Sequence, residues 1–520
     1  MHMGLGCFLM VFLLGKPIQP DTLPAMKIFC ADQQLEEGFY WAQQKAMQFV
    51  QTGKSGPVNI WKPGQESPTV PYIPSYQAGY PLRSAFYSRD FCHQAIGAHL
   101  LGLDEENFSM LRALAASAHA SRKWYPLWAL NFDGSPYSLD YRNDTNFVRE
   151  VPAVFELVET MARLYRWTGD SRYATDSVFA DFARHALSDF IRLHDNQLPN
   201  GIAEGSGTGN IFKGVASYNE QRDAPLVEAG DGIAAQYAAF MAYHSLHRVD
   251  GSRMTLHGMG QRGHQIQRYF QKKWAIQGSS SYNRGYLQNG QPVEGWGKEN
   301  SWFMLMKGIV HPDSYRTAQY LDFLQEKLRS QEDMPDNIEA LTYIPETFFR
   351  YHRNTVGWEW MQHILARIQQ AHVQEKLTGT NGDYPEVSYV LISNVVEQLL
   401  GVEPLAAEAA IKTLSHLPIG IPHLEVSGIP VGNCRLSVAH QGTCQSSLQY
   451  FGGKPKLVWT AAFPGAHRTI WVDGQPRRAR KVRENGIWIS TCRVEVAEGE
   501  KVVAQVAANG RSASGRHHRG

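Results

Sequence analysis

Apolar positions across residues 30–402 recur at helical spacing and fall into two alternating kinds of segment. Segments 32–52, 105–121 and 171–194 each keep one apolar stripe. In the last of these Tyr173, Phe179, Phe182, Ala186, Phe190 and Leu193 share a side while Asp, Arg and His occupy the rest, as an outer helix requires. Segments 89–102, 149–167 and 229–248 are more uniformly apolar and rich in Ala and Gly, with 234–242 the clearest case. Small residues let helices approach closely, which marks these as inner helices. The alternation continues with 253–274 outer, 299–309 inner, 313–330 outer, 337–352 inner, 356–377 outer and 388–401 inner. Short turns pass from inner to outer helices: Trp167-Thr168-Gly169-Asp170, Val249-Asp250-Gly251-Ser252 and His311-Pro312-Asp313-Ser314. Their Asp and Ser residues are ready N-caps. Loops into the inner helices (123–148, 196–227, 276–298) are much longer, and loops of that length in a compact domain usually carry function. Six irregular hairpins predict a mainly α fold, a closed (α/α)6 barrel over 30–402.

After residue 403 the period changes from helical to alternating. Residues 425–431, 436–438, 456–459, 469–474, 487–490 and 492–496 read as short strands parted by Gly and Pro turns, with Val472-Asp473-Gly474-Gln475 a hairpin signal. The predicted organisation is an apolar segment 1–29, the barrel 30–402, a small antiparallel β-sandwich 403–508 and a polar, disordered tail 509–520. Residues 4–15 form an apolar run too short to span a bilayer. It has signal-peptide length but lacks a preceding basic residue and an Ala-x-Ala site, and Met26 is an alternative start, so a cytoplasmic and an exported protein both stay open.

Inner helices open on carboxylates: Ser88-Arg89-Asp90-Phe91, Asn143-Asp144-Thr145-Asn146, Glu228-Ala229-Gly230-Asp231-Gly232, Lys298-Glu299-Asn300-Ser301 and Asp383-Tyr384-Pro385-Glu386. An acid at a helix N-terminus is an ordinary cap. Five of them, reached through loops of Trp, Tyr and Gly, would converge on one pocket of acids and aromatic faces if the helices close into a ring. That is chemistry suited to a sugar. The 13 Trp and 23 Tyr agree, although most aromatics fill a core of this size. A net charge of +1 argues against nucleic acid and anionic membranes as main partners. The six cysteines show no metal-ligand spacing, although Cys434 and Cys444 would suit a bridge in an exported protein.

The organisation resembles the six-hairpin (α/α)6-barrel glycosidases: glucoamylases, trehalases, glycogen-debranching enzymes, α-L-rhamnosidases and unsaturated glucuronyl hydrolases. The junction Val396-Glu397-Gln398-Leu399-Leu400-Gly401-Val402, then Leu414-Ser415-His416-Leu417-Pro418, then strands ending in Trp471-Val472-Asp473-Gly474, looks like the debranching and rhamnosidase branches. The Trp-Gly-Arg-Asp-Thr segment of debranching enzymes is lacking, with Tyr87-Ser88-Arg89-Asp90 nearest to it. The resemblance implies an exo-acting, inverting glycoside hydrolase without cofactor or metal, acting on an oligosaccharide or glycoside. It places the acid around the start of the sixth helix, where Glu220, Asp223, Glu228 and Asp231 stand, and the base before the twelfth, at Asp383 or Glu386.

Asp231 or Glu228 is the expected acid, because the segment runs straight into an apolar helix that can raise a carboxyl pKa. Glu386 is the expected base, and each of the three is equally readable as a cap. Arg89 and Asp90 are expected to bind hydroxyls of the terminal sugar. Trp296, Glu299 and Trp302 form the densest sugar-like cluster, while Asp144 and Arg142 are weaker candidates. Two other enzymatic readings stand beside this one: hydration of an unsaturated uronide by Asp90 with Asp144, and a lyase using Tyr87 with His93. A non-catalytic carbohydrate-binding protein is the third. Gly258-Met259-Gly260-Gln261-Arg262-Gly263 matches a dinucleotide fingerprint but has no strand before it.

Overall fold

A computed structural model describes residues 26–60, 67–218, 225–250, 253–312, 315–373, 379–453 and 456–507. Helices dominate up to residue 399 and sheets follow that are antiparallel except for the parallel pair Ala410–Leu414 and Lys456–Pro464. The inner helices are Ser88–Leu100, Val151–Thr168, Gly230–Asp250, Glu299–Met306, the consecutive pair Ile338–Thr342 and Ile344–Phe349, and Pro385–Ser393. Each packs on the next in that order, and Pro385–Ser393 packs back on Ser88–Leu100. Two glycines allow this. A Cβ on Gly97 would lie 2.1 Å from the Tyr389 carbonyl oxygen, and one on Gly230 would lie 2.0 Å from that of Asn300. Neither backbone has room to give, so both contacts depend on a bare Cα.

Outer helices Gln33–Gln48, Asp104–Ser117, Arg253–Lys273 and Tyr315–Arg329 fall close to their expected positions, whereas the one expected over 356–377 spans only Asn354–Leu365 before the chain turns. The expected helix 171–194 is instead broken: Asp176 accepts from the Val178 amide at 2.8 Å and caps a new helix, Ser177–His185, which then widens into π turns. The inner segment 337–352 breaks as well, because Pro345 offers no N–H for a continuous helix. Among the described residues, every sheet between the helices is a small antiparallel one.

The C-terminal part holds a seven-stranded and a five-stranded sheet. Asp473 and Gly474, both at positive φ, close the tight hairpin between Thr469–Val472 and Gln475–Arg478. One strand is unexpected: Lys27–Cys30, assigned by sequence to an N-terminal segment and the barrel boundary, pairs antiparallel with His423–Val431 and joins the larger sheet. Cys434 and Cys444 are not joined by a disulfide. Residues 4–15 and 509–520 lie outside the described residues. Among the described residues no helix is long and apolar enough to cross a membrane.

Candidate functional site

The acids that open the inner helices do not all share one environment. A group of them surrounds a single arginine. Arg89, in the first turn of Ser88–Leu100, lies between two aromatic rings, 4.8 Å from the centre of Tyr218 and 5.4 Å from that of Tyr343. Its Nη2 is 3.5 Å from Glu299 Oε1, and its Nε donates to the Tyr343 hydroxyl at 3.4 Å. Glu339 and Glu386 complete the negative field around it.

Beside Arg89, Asp90 accepts from the Tyr384 hydroxyl at 2.8 Å, and Glu386 accepts from the Tyr343 hydroxyl at 3.3 Å. Burial raises Asp90 to about 6; Glu339 adds to the shift and Arg89 opposes it. Burial also lifts Glu386 well above the usual carboxylate range, with Asp90 and Glu339 pushing the same way. Four acids, Asp90, Glu299, Glu339 and Glu386, against one guanidinium cannot all ionise cheaply, so the cluster favours keeping a proton.

Asp231 approaches from the next side. Its Oδ2 accepts from the Tyr218 amide at 2.7 Å and from Ser217 Oγ at 2.9 Å, while Oδ1 accepts from Asn300 Nδ2 and the Gly232 amide, both at 3.0 Å. Burial raises it to about 6 against those hydrogen bonds, and Glu299 adds repulsion. The structure thus brings Arg89, Asp90, Asp231, Glu299 and Glu386 together, linked through Glu299 and Arg89.

Other expected residues lie elsewhere. Glu228, on the strand Glu228–Ala229, accepts from Asn200 Nδ2 at 2.6 Å, and that amide also donates to Tyr269 at 2.8 Å. Burial raises Glu228 to about 8, with Glu204 and Asp195 as its charged neighbours rather than any member of the Arg89 cluster. Asp144 is tied to Ser121, to Arg122 Nε at 2.8 Å and to the Tyr141 hydroxyl at 2.7 Å. The Ser121 hydroxyl is the main cause that holds it down to about 2. Trp302 is fully buried and offers no face to a sugar. Trp296 is half-buried against it, 5.8 Å away, with its Nε1 donating to the Asp333 carbonyl. Asp383 caps its own turn at Thr380 and pairs with Lys45 at 2.6 Å. Arg142 donates to the Ser138 carbonyl at 2.8 Å. Tyr87 and His93 are not paired: Tyr87 donates to Asp140 at 3.1 Å, whereas His93 stacks on Tyr343 at 3.6 Å. Glu220 and Asp223 fall outside the described residues.

Several residues of the cluster were not singled out from the sequence. Asp336-Asn337-Ile338-Glu339 opens the fifth inner helix on an acid, the same signal as the other openings. For the second inner helix the opening acid is Glu150, six positions beyond Asp144; it accepts from Trp128 Nε1 at 2.8 Å, just before Val151–Thr168. Tyr218, Tyr343 and Tyr384 carry no local signal, since a buried tyrosine reads as core. Among the described residues no group of three or more His, Cys, Asp and Glu is arranged to hold a metal ion.

A second charged region lies further along the same inner helices. Lys307 Nζ meets Glu156 at 2.5 Å and Glu159 at 2.6 Å, and Arg163 meets Glu397 at 2.9 Å. Glu397 also accepts from Trp167 Nε1 at 3.1 Å. Glu159, Arg163, Trp167, Lys307 and Glu397 line a cavity of about 510 Å³ that reaches Glu403, His416 and Glu484 of the β part. Tyr218 joins the two regions, because its hydroxyl donates to Glu156 while its ring faces Arg89.

No protein-family model matches the chain, and no curated protein matches it in sequence. Solved structures do. A GH78-family rhamnosidase of Bacillus sp. GL1 superposes with a TM-score of 0.58 at 10% identity, over 82% of this chain and 41% of that one. The α-L-rhamnosidase from Dictyoglumus thermophilum gives 0.55 at 12%, over 93% and 50%. That of Streptomyces avermitilis, solved with L-rhamnose, gives 0.54 at 12%, over 93% and 42%. This likeness shows the fold alone: a helix-rich domain followed by mostly antiparallel sheets. The chain spans half or less of the length of these relatives.

Proposed function

We propose that this protein is a glycoside hydrolase, exo-acting and inverting, with its reaction centre at the carboxylates around Arg89. In this reading the cycle of inner helices is the closed (α/α)6 toroid over 30–402, with 403–508 a β-sandwich that Lys27–Cys30 joins. The observation that carries the proposal is the crowding of Asp90, Glu339 and Glu386 against one half-buried arginine at the N-terminal turns of the inner helices. Packing like charges out of water costs stability, and such an arrangement is typical of a site that must hold a proton for transfer.

Glycosidic cleavage needs one protonated and one ionised carboxyl. Glu386 fits the proton donor better than the base suggested by chain order, because both burial and its acidic neighbours favour its neutral form. Across Arg89, Glu299 is the better base. It keeps a little exposure at 7%, where Asp231 is fully buried with both oxygens engaged, so a water can reach Glu299 and not Asp231. Asp231 then acts as a positioning residue that fixes Tyr218 and Asn300. Asp90 and Arg89 bind the terminal sugar. The depth of the cluster favours a chain end over an internal unit. Hydration of an unsaturated uronide by Asp90 with Asp144 loses its support, since Asp144 is ionised and tied to Arg122.

A panel of aryl glycosides, α-L-rhamnoside included, followed by proton NMR of the released sugar, tests the proposal. Hydrolysis with inverted anomeric configuration is expected. Retained configuration would remove the inverting assignment, and no turnover on any glycoside would remove the hydrolase reading. Loss on Glu386→Gln should shrink for good leaving groups, and Glu299→Ala should be rescued by azide; the reverse pattern would exchange the two roles.

A further inference from the structure

The chain carries almost no net charge, yet its basic residues are not spread evenly. In 477–483, Arg-Arg-Ala-Arg-Lys-Val-Arg, five of seven residues are basic. The fold gives this run an unusual place. Gln475–Arg478 is the last strand of the seven-stranded sheet and Arg480–Glu484 the last strand of the five-stranded one, with only Ala479 between them. The run therefore lies along the seam where two sheet edges meet. Arg468 and Arg493 flank it, and both are exposed together with Arg477, Arg478, Arg480 and Lys481. None of these six forms an ion pair among the described residues. By contrast Lys412 and Lys456, on nearby strands, are both paired with glutamates. Arg477, Arg478, Arg480 and Arg493 line a groove of about 640 Å³ that reaches Arg166 of the helical part.

Two large aromatic faces border the seam. Trp471 is 40% exposed and sits opposite Pro476, one residue before Arg477; Trp488 is 47% exposed and sits opposite Arg483. Edge strands commonly carry a charge or two that discourage pairing with another chain. One or two would serve that purpose. Six cations with no ion pair among the described residues, gathered on both faces of the seam beside the indole of Trp471 and that of Trp488, over which Arg483 lies at 6.0 Å, are more than edge protection requires and have the make-up of a ligand surface.

We propose that this seam binds an acidic polysaccharide, one bearing a carboxylate or sulfate on its sugars. Guanidinium forks match carboxylate and sulfate oxygens in pairs, and an indole face stacks on the apolar face of a sugar ring. A near-neutral chain has little long-range pull on a heavily charged duplex or an anionic bilayer, so the seam acts through short contacts spaced along a strand. The choice of a glycan as the polyanion rests on the glycosidase reading above.

The test is a binding measurement on the full chain that needs no catalysis. Affinity electrophoresis and calorimetry would use polygalacturonate and dextran sulfate as acidic probes, plain dextran as the neutral one, and single-stranded DNA and phosphatidylserine vesicles as other polyanions. Binding to an acidic polysaccharide, absent for dextran, is expected to weaken by about tenfold or more when salt rises from about 50 to about 300 mM. Polygalacturonate and dextran sulfate separate carboxylate from sulfate recognition. The quadruple change of Arg477, Arg478, Arg480 and Lys481 to Gln should abolish this binding with thermal midpoint and turnover of a small aryl glycoside unchanged. If the quadruple variant is unstable, Trp471→Ala with Arg478→Gln should still weaken binding severalfold. Binding of DNA or vesicles in preference to both acidic glycans, or no binding to either glycan, would overturn the proposal. Because binding is read without turnover, an inactive enzyme that still binds polygalacturonate would contradict the glycosidase reading and not this one.

Discussion

The inner helices carry charge at two levels, and the two are built on opposite principles. At their N-terminal turns Asp90, Glu339 and Glu386 crowd together with Arg89 as the shared cation, and the pKa values of Asp90 and Glu386 rise. Deeper along the same helices Lys307 sits between Glu156 and Glu159, and Arg163 meets Glu397, so each cation has its own acid. There Glu159 is held below its ordinary value by Lys307 and Arg163 despite burial. Glu346 is the exception, raised by burial against Arg163. A compensated network gives a unique arrangement of helices; a crowded one stores a proton at the expense of stability. On the proposed reading, the difference separates a structural polar interior from a reactive one within a single set of helices.

The largest effect should come from the crowded level. Glu386→Gln is expected to cut turnover by about 10²–10⁴-fold while leaving the thermal midpoint unchanged or slightly higher, since the amide is fixed in the neutral state that burial already favours. Steady-state kinetics and calorimetry on the same sample check both halves. At the compensated level the outcome should be inverted. Lys307→Met leaves Glu156 and Glu159 buried without their cation and should cost about 3–5 kcal/mol in urea denaturation. Equal stability loss in both variants would erase the distinction.

Glu228 sharpens the comparison from outside both levels. Its folded pKa of about 8 stands above the ordinary 4.5, so between those values the folded state holds a proton that the unfolded chain releases. Stability must therefore fall as pH rises from about 4.5 to 8, and the contribution is fully present only below that window. Glu228→Gln, which keeps an oxygen for Asn200, should flatten that slope, adding on the order of a few kcal/mol at pH 8. Turnover should stay within about twofold; a large loss would return Glu228 to the reaction. Least affected should be Asp144→Asn. Its partly exposed pair with Arg122 is worth under about 1 kcal/mol, and activity should not change.

How far the sequence anticipates this depends on the range of the physics involved. Helix periodicity is local, so the alternation of small-residue inner helices with striped outer ones was readable, and the acids that cap them came with it. Arg89, Asp90, Glu299 and Glu386 were found this way. Which way a side chain turns was not local. Glu228 and Asp231 are three residues apart, yet Glu228 lies on a short strand and Asp231 in the first turn of a helix, so they meet different neighbours. Trp302 looked like a stacking platform because burial of an indole is decided by the helices around it. Lys27–Cys30 gave no sign of its partner, since its pairing strand begins at His423, nearly the whole chain away.

The account depends on which of the two levels receives the substrate. A crystal soaked with the monosaccharide released by the enzyme, or with L-rhamnose if the panel gives none, decides this directly. The sugar is expected at Arg89, within hydrogen-bond distance of Asp90, Glu386 and Glu299. A sugar lodged instead in the 510 Å³ cavity among Arg163, Lys307 and Glu397, with the Arg89 cluster empty, would contradict it.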